Sequence, residues 1–284
     1  MATEIVVDRH PADLLLRSDR LPHIWCPGCG LGSVMSCYTD AVVASGIPTE
    51  RHVCVSGIGC TGRVAGYLSL DSFHTTHGRA IPYALGLKVS NPDLKVTVIS
   101  GDGDLSSIGG NHLIHAARRN LDLTVICVNN FNYGMTGGQA GPTTPYGAMS
   151  STTPDGNEEQ PFNLPHLVAA VGAVYVARWT SLHVRQLRDS IRTALLKPGF
   201  SFVEVLSPCP VGFGKANDLG DGIDEMRFYR RLSVVDDNAN LENVGLTMSE
   251  DEPIVLGNFV NRERPVFRPS VKRWAMEEVL NGQV

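Results

Sequence analysis

Short apolar runs alternate along this chain with segments of helical period, and that alternation restricts the fold more than any other feature. The runs RHVCVSG (51–57), KVTVISGDGD (95–104), LDLTVICVNN (121–130), AVYVARW (173–179) and FSFVEVLSPCP (200–210) read as buried strands. Between them, 108–120 and 164–172 read as helices, the first with Ile108, Leu113, Ile114 and Ala117 on or near one face. Residues 181–199 form a further helix, with Ser181 as N-cap and a stripe of Val184, Leu187, Ile191, Ala194 and Leu195. Apolar strands alternating with helices specify an α/β fold: a mostly parallel sheet with helices on both faces. The pattern runs from about residue 22 to 215. It leaves 1–21 as an N-terminal arm and 216–284 as an irregular, acidic, breaker-rich extension, read as contacting a partner.

The polar residues gather where the strands end. GIGC (57–60), GDGD (101–104), NNFNYG (129–134) and SPCP (207–210) each follow an apolar run. Ligands of open α/β sheets bind beyond the carboxyl ends of the strands, so four turns distant in sequence converge on one place. One strand–helix–strand crossover separates Asp102 from Asn130, which sets the two at neighbouring strand ends. Each offers a hard oxygen, the donor type that suits Mg²⁺, and Mg²⁺ completes its shell with phosphate oxygens and water. A diphosphate carried by Mg²⁺ fits that arrangement.

The CPGC stretch sets Cys26 and Cys29 three positions apart. By spacing alone these thiols are open to redox, metal-binding or plain packing roles. An odd total of seven cysteines argues against a fully paired disulfide framework. Cys54 and Cys127 lie inside apolar runs and Cys37 on a helix face, where free cysteine packs as a small hydrophobe. A net charge of −5 gives no footprint for nucleic acid. No apolar run reaches membrane-spanning length, and the charged start lacks a signal-peptide core, so the expectation is a cytoplasmic protein.

The segments WCPGCG, GIGC, HTTHGRAIPYALGLK, GDGDLSSIGGNHLIHAARRN, VNNFNYGMTGGQ and SPCP, in that order, resemble the β subunit of 2-oxoacid:ferredoxin oxidoreductases, the 2-oxoglutarate members most of all. The GDGD…VNN pair is similar to the diphosphate motif of thiamine diphosphate enzymes. The resemblance implies that Asp102, the Asn130 side chain and the Asn132 carbonyl hold Mg²⁺. It implies one [4Fe–4S] cluster on Cys26, Cys29, Cys60 and Cys209, with zinc the main rival on cysteine chemistry alone. It also implies cofactor contacts from Gly59 and Cys60, from His74 and His77, from Gly101, Asp102, Gly103 and Asp104, and from Asn130, Asn132, Tyr133, Gly134, Met135 and Thr136.

Catalytic roles are expected for Arg63, Thr61, Met135 and His77. Arg63 is cast as the fork for a substrate carboxylate, with Thr61 adding a hydroxyl. Gly137 and Gly138 are read as permitting a turn, and His112 and His115 as packing or surface groups. The implied reaction is oxidative decarboxylation of a 2-oxoacid with coenzyme A as acyl acceptor, reversible as reductive carboxylation, with electrons leaving through the cluster to ferredoxin. One strand–helix series makes one cofactor-binding domain only. The resemblance implies that an α subunit, paired as α₂β₂, supplies the second domain and the activating glutamate.

Overall fold

The computed structural model describes residues 11–268, apart from Met248 and Glu250. The strands are β1 (His52–Ser56), β2 (Asp71–His74), β3 (Lys95–Gly101), β4 (Thr124–Asn129), β5 (Asn132–Tyr133), β6 (Gln139–Ala140), β7 (Tyr175–Thr180), β8 (Ser201–Leu206), β9 (Ser233–Val235) and β10 (Ile254–Asn261). The helices are α1 (Leu31–Ser45), α2 (Val64–Tyr67), α3 (Ala80–Ser90), α4 (Gly110–Arg119), α5 (Leu164–Ala170), α6 (Val184–Leu196) and α7 (Gly222–Leu232). Eight strands form one sheet in the order β2-β1-β3-β4-β8-β7-β10-β9, while β5 and β6 pair as a separate ribbon. Every neighbour in the sheet is parallel except β7 with β10.

The apolar runs are continuous because both faces of the sheet are covered. In β4, Val125 and Cys127 pack with α3, α4 and α5, while Ile126 and Val128 pack on the other face with α1 and α6. Burying a side chain such as Val125 or Ile126 fully stabilises the fold by roughly 1.5–3 kcal/mol. Cys37, Cys54 and Cys127 sit in these two cores with no exposed surface, as packing groups. His115 and its neighbour Arg118 lie on the outer face of α4.

Two expectations need correction. Ser181 does not cap α6, which begins at Val184. Thr180 shapes the turn instead: its hydroxyl accepts from the Leu182 N–H at 3.2 Å and meets His183 Nδ1 at 2.8 Å. Nor is 216–284 irregular throughout. Asp221 opens α7 with a reciprocal capping box to Asp224, and β10 joins the main sheet beside β7. Arg262 then donates to the carbonyls of Ala173 and Ala169 at the end of α5. Residues 1–10 of the expected arm and 269–284 of the expected extension lie outside the described residues.

Candidate functional site

The four predicted turns leave the carboxyl ends of β1, β3, β4 and β8, which are consecutive in the sheet. A single cleft opens there. Its walls are 58–61 after β1, 101–104 after β3, Asn130 and 132–136 after β4, and His77 from the loop before α3.

At the floor, three oxygens converge. The Asn130 side-chain oxygen lies 3.2 Å from Asp102 Oδ1 and 2.9 Å from the Asn132 carbonyl oxygen. With nothing between them these oxygens repel, and the amide gains two hydrogen bonds by turning its nitrogen inward. A hard cation reverses that preference. Around Mg²⁺, neighbouring oxygens of an octahedral shell at 2.0–2.1 Å stand about 2.9 Å apart, close to the spacing seen. Asp102 is buried, and burial raises its carboxyl from 3.8 to about 6, opposed by hydrogen bonds from Thr143 and backbone N–H groups. A cation there would hold it ionised.

The backbone that presents these oxygens is itself held from below. Phe131 has φ +65°, uncommon for a bulky residue, and turns the chain so that residues 130 and 132 share one side. Asn129 Oδ1 accepts the Phe131 N–H at 3.2 Å, while its amide donates to Glu204 Oε1 at 2.9 Å. Glu204 takes a 2.6 Å bond from Arg178 Nε, and Arg178 donates on to the Val244 carbonyl at 2.6 Å. Arg178 and Glu204 have no exposed side-chain surface, so this charged pair belongs to the sheet interior and was missed as a site feature. An acidic and a basic residue at matching positions of two apolar strands was the available signal.

Other expected residues divide. Thr61 is buried beside Gly101, and Met135 is exposed at the cleft. Gly103 is required for space, since a Cβ there would stand 2.3 Å from the Tyr133 ring. Thr136 bonds Gln139, and Gly137 (φ +119°) and Gly138 (φ +81°) close the β5–β6 turn. His74 does not line the cleft. Its Nδ1 lies 3.0 Å from Ser56 Oγ and 3.1 Å from the Gly62 carbonyl, bracing the turn after β1. Arg63 is exposed and lies outside the cleft lining; its N–H donates to the Cys60 carbonyl at 3.3 Å, while its guanidinium makes no hydrogen bond or ion pair among the described residues. Ile58 joins the lining without having been foreseen.

Cys209 lies against the 132–134 turn, and Cys26, Cys29 and Cys60 are near enough to it and to one another for their charges to interact. Burial above all pushes the Cys29 thiol up to about 12, against relief from the Leu31 N–H and with smaller repulsion from the neighbouring thiols, and burial likewise raises Cys60. Cys26 is exposed and lies in a tight turn, with the Cys29 N–H on the Cys26 carbonyl at 3.0 Å. Trp25 Nε1 donates to the Cys60 carbonyl at 2.8 Å, tying the CPGC segment to the turn after β1. Gly28 (φ +83°) lets that segment touch α7, because a Cβ would lie 2.7 Å from Gly222 Cα. From α7, Glu225 Oε1 accepts the Cys209 N–H at 3.0 Å. Burial pushes this carboxyl up to about 7. Glu225 Oε2 and the buried Tyr229, Ser181 and Ser207 hydroxyls have no hydrogen-bond partner among the described residues. Among the described residues no three His, Cys, Asp or Glu groups close to the distances of a single ion.

The two sites share a wall. A Cβ on Gly134 would lie 3.1 Å from Asn132 Oδ1, 3.2 Å from Cys209 Sγ and 3.7 Å from Asn130 Nδ2. The Asn132 side chain itself stands 3.9 Å from Cys209 Sγ.

Sheet order and oxygen-floored cleft define an α/β domain of the thiamine diphosphate-binding class, and the family described as "Thiamine pyrophosphate enzyme, C-terminal TPP binding domain" matches residues 57–205. The 2-oxoglutarate synthase subunit KorB of Methanocaldococcus jannaschii is 49% identical over 91% of this chain and 94% of its own length. That of Methanothermobacter marburgensis is 47% identical over 98% and 96%. The solved 2-oxoglutarate:ferredoxin oxidoreductase of Magnetococcus marinus, with 2-oxoglutarate, coenzyme A and succinyl-CoA bound, superposes with a TM-score of 0.80 at 30% identity, over 96% of this chain and 92% of that one. The chain belongs to the β-subunit family of the 2-oxoacid:ferredoxin oxidoreductases. No helix among the described residues is long and apolar enough to cross a membrane.

Proposed function

We propose that this chain is the cofactor- and cluster-binding β subunit of a cytoplasmic 2-oxoglutarate:ferredoxin oxidoreductase. It would convert 2-oxoglutarate and coenzyme A to succinyl-CoA and CO₂, or run in reverse with reduced ferredoxin. The observation that carries the reading is the convergence of the Asp102 carboxylate, the Asn130 side-chain amide and the Asn132 carbonyl, with one amide position 3.2 Å from Asp102 Oδ1 and 2.9 Å from the Asn132 oxygen, close to the spacing of neighbouring ligands in an octahedral cation shell. Asp102, Asn130 and Asn132 would hold Mg²⁺ and, through it, the diphosphate. Bound thiamine diphosphate supplies an electron sink for decarboxylation.

This chain's own residues orient and enclose. Gly101, Gly103 and Gly134 keep side chains out of the diphosphate's path, Tyr133 packs across Gly103, and Gly59, Cys60, Asp104 and Thr136 border the cleft. Met135, Thr61 and His77, which line the cleft, would face the reacting end. Arg63, unpaired and exposed, would swing to a substrate carboxylate. Cys26, Cys29, Cys60 and Cys209 would hold one [4Fe–4S] cluster against the Gly134 wall, a short path for electrons bound for ferredoxin. An α subunit, paired as α₂β₂, would cover the cleft and bring the activating glutamate. The test is turnover of the co-expressed complex on 2-oxoacids with coenzyme A and a redox dye. The highest kcat/KM should fall on 2-oxoglutarate, and preference for pyruvate would overturn the substrate assignment.

A further inference from the structure

Asp104 lies in the turn leading into α4, and its carboxylate reaches back to the loop before α3. Its Oδ1 accepts the Gly78 N–H at 2.8 Å and lies 3.0 Å from His77 Nδ1. Its Oδ2 accepts the Ser100 hydroxyl at 2.8 Å. The Asp104 side chain is 5% exposed and that of His77 55%. The contact is built rather than incidental. Gly78 has φ +64°, and a Cβ there would stand 2.5 Å from Ile108 and 2.6 Å from the Gly109 nitrogen, so only glycine lets this loop close onto the carboxylate.

A backbone N–H only donates, so Oδ1 is an acceptor, and the histidine nitrogen facing the same oxygen must carry the proton. The bond made by one ring nitrogen sets the state of the other. His77 is thereby fixed with Nδ1 protonated. In the neutral ring, Nε2 keeps a lone pair that no described residue uses, on a side chain that lines the cleft.

We propose that Asp104 is a positioning residue rather than a cofactor ligand: it locks His77 in the Nδ1–H tautomer so that Nε2 accepts a hydrogen bond from a thiol or hydroxyl donor of the reactants. Only the identity of that donor rests on the functional reading above; the tautomer stands on this chain's geometry. Gly78, His77 and Ser100 take three of the carboxylate's four lone pairs, and its Oδ2 packs against Gly57, where a Cβ would stand 2.0 Å away, so Asp104 is committed to the loop before α3 rather than to the cation floor of Asp102, Asn130 and Asn132.

Ring-¹⁵N histidine labelling of the full chain, with His77 assigned by loss of its signals in His77→Gln, reads the tautomer directly from long-range nitrogen–proton correlations. The wild type should show protonated Nδ1 and unprotonated Nε2. Asp104→Ala should move His77 to the Nε2–H form that free imidazole prefers. Asp104→Asn should keep Nδ1–H, because its oxygen still accepts from Gly78 and His77 while its amide donates to Ser100. In the co-expressed complex, Asp104→Ala should lower kcat/KM at least tenfold, with Mg²⁺-dependent thiamine diphosphate affinity within about twofold of wild type. The double variant with His77→Gln should be no worse than the worse single one. An Nε2–H wild type, an Asp104→Asn chain that flips, or a tenfold loss of cofactor affinity in Asp104→Ala would each overturn the proposal. Should Asp104→Ala fail to fold, the wild-type and Asp104→Asn spectra still decide. Failure of thiamine diphosphate to bind wild type would strike the functional reading alone and would not alter the tautomer result.

Discussion

The oxygen floor and the thiol site lie one residue apart, yet they are held by opposite means. The floor is anchored through the sheet interior: Asn129, Glu204 and Arg178 fix the turn that carries Asn130 and Asn132, and Thr143 bonds Asp102. Its geometry stands ready for a cation. The thiol site is assembled from three separate segments, with Cys29 pushed up to about 12, and hydroxyl and carboxyl oxygens around it lack partners among the described residues. Burial disfavours thiolates there until a cationic guest compensates. The lesson is that a hard-cation site can be preorganised by hydrogen bonds alone, whereas a thiolate site is completed by its guest.

Breaking each region separately should therefore give different signatures. The largest effect is expected from Asp102→Ala: Mg²⁺-dependent thiamine diphosphate affinity should fall at least about a hundredfold, ~2.8 kcal/mol, with the fold intact by circular dichroism. Calorimetry with and without Mg²⁺ checks it; undiminished affinity would remove Asp102 from the floor.

Next in size, serine at Cys26, Cys29, Cys60 or Cys209 should lower iron and acid-labile sulfide in anaerobically purified protein, because thiolate is the preferred ligand. Serine at Cys37, Cys54 or Cys127 should leave both unchanged. Equal losses in the two groups would mean that the four are wrongly chosen.

A third variant separates the regions by sterics. Gly28→Ala meets both a positive φ and the Gly222 backbone, so it should cost roughly 1–2 kcal/mol or more and reduce iron content. Thiamine diphosphate affinity should stay within about twofold. A larger loss of cofactor than of iron would show that the two sites are not held independently.

The pH response sharpens the same contrast. Burial raises the Asp102 carboxyl from 3.8 to about 6, so the cofactor-free chain is stabilised by its protonation. That contribution, ~3 kcal/mol, is complete below about pH 3.8 and is lost as pH rises through about 6. Cation binding requires the ionised form and runs the other way. Mg²⁺ affinity should fall by about tenfold for each pH unit below 6, and Asp102→Asn should abolish that slope.

The smallest expected effect is Arg63→Ala, a rise in KM for 2-oxoglutarate of roughly tenfold or less with kcat little changed, as for lost ground-state binding. An unchanged kcat/KM for every 2-oxoacid would end its assignment to the substrate.

Much of this was legible in the chain because it depended on local pattern. Continuous apolar runs marked strands covered on both faces, and Asp102 and Asn130 sat one crossover apart, so their meeting at adjacent strand ends followed from topology. What escaped depended on tertiary contact. His74 was read with His77 as a cofactor contact, but only the folded chain shows its ring turned to Ser56 and Gly62. The Arg178–Glu204 pair was not foreseen, because it forms only when β7 and β8 stand side by side with both residues buried. The strand at Ile254–Asn261 had an apolar run of its own, obscured by the polar stretch before it, and its place beside β7 depends on tertiary pairing.

One measurement tests the central claim most directly: a crystal structure of the anaerobic co-expressed complex with thiamine diphosphate and Mg²⁺, recorded at the iron absorption edge. The account expects the diphosphate and its cation on Asp102, Asn130 and Asn132, with anomalous iron density bonded to Cys26, Cys29, Cys60 and Cys209 across the Gly134 wall. Diphosphate bound elsewhere, or a single zinc-like peak in place of the iron cluster, would contradict it.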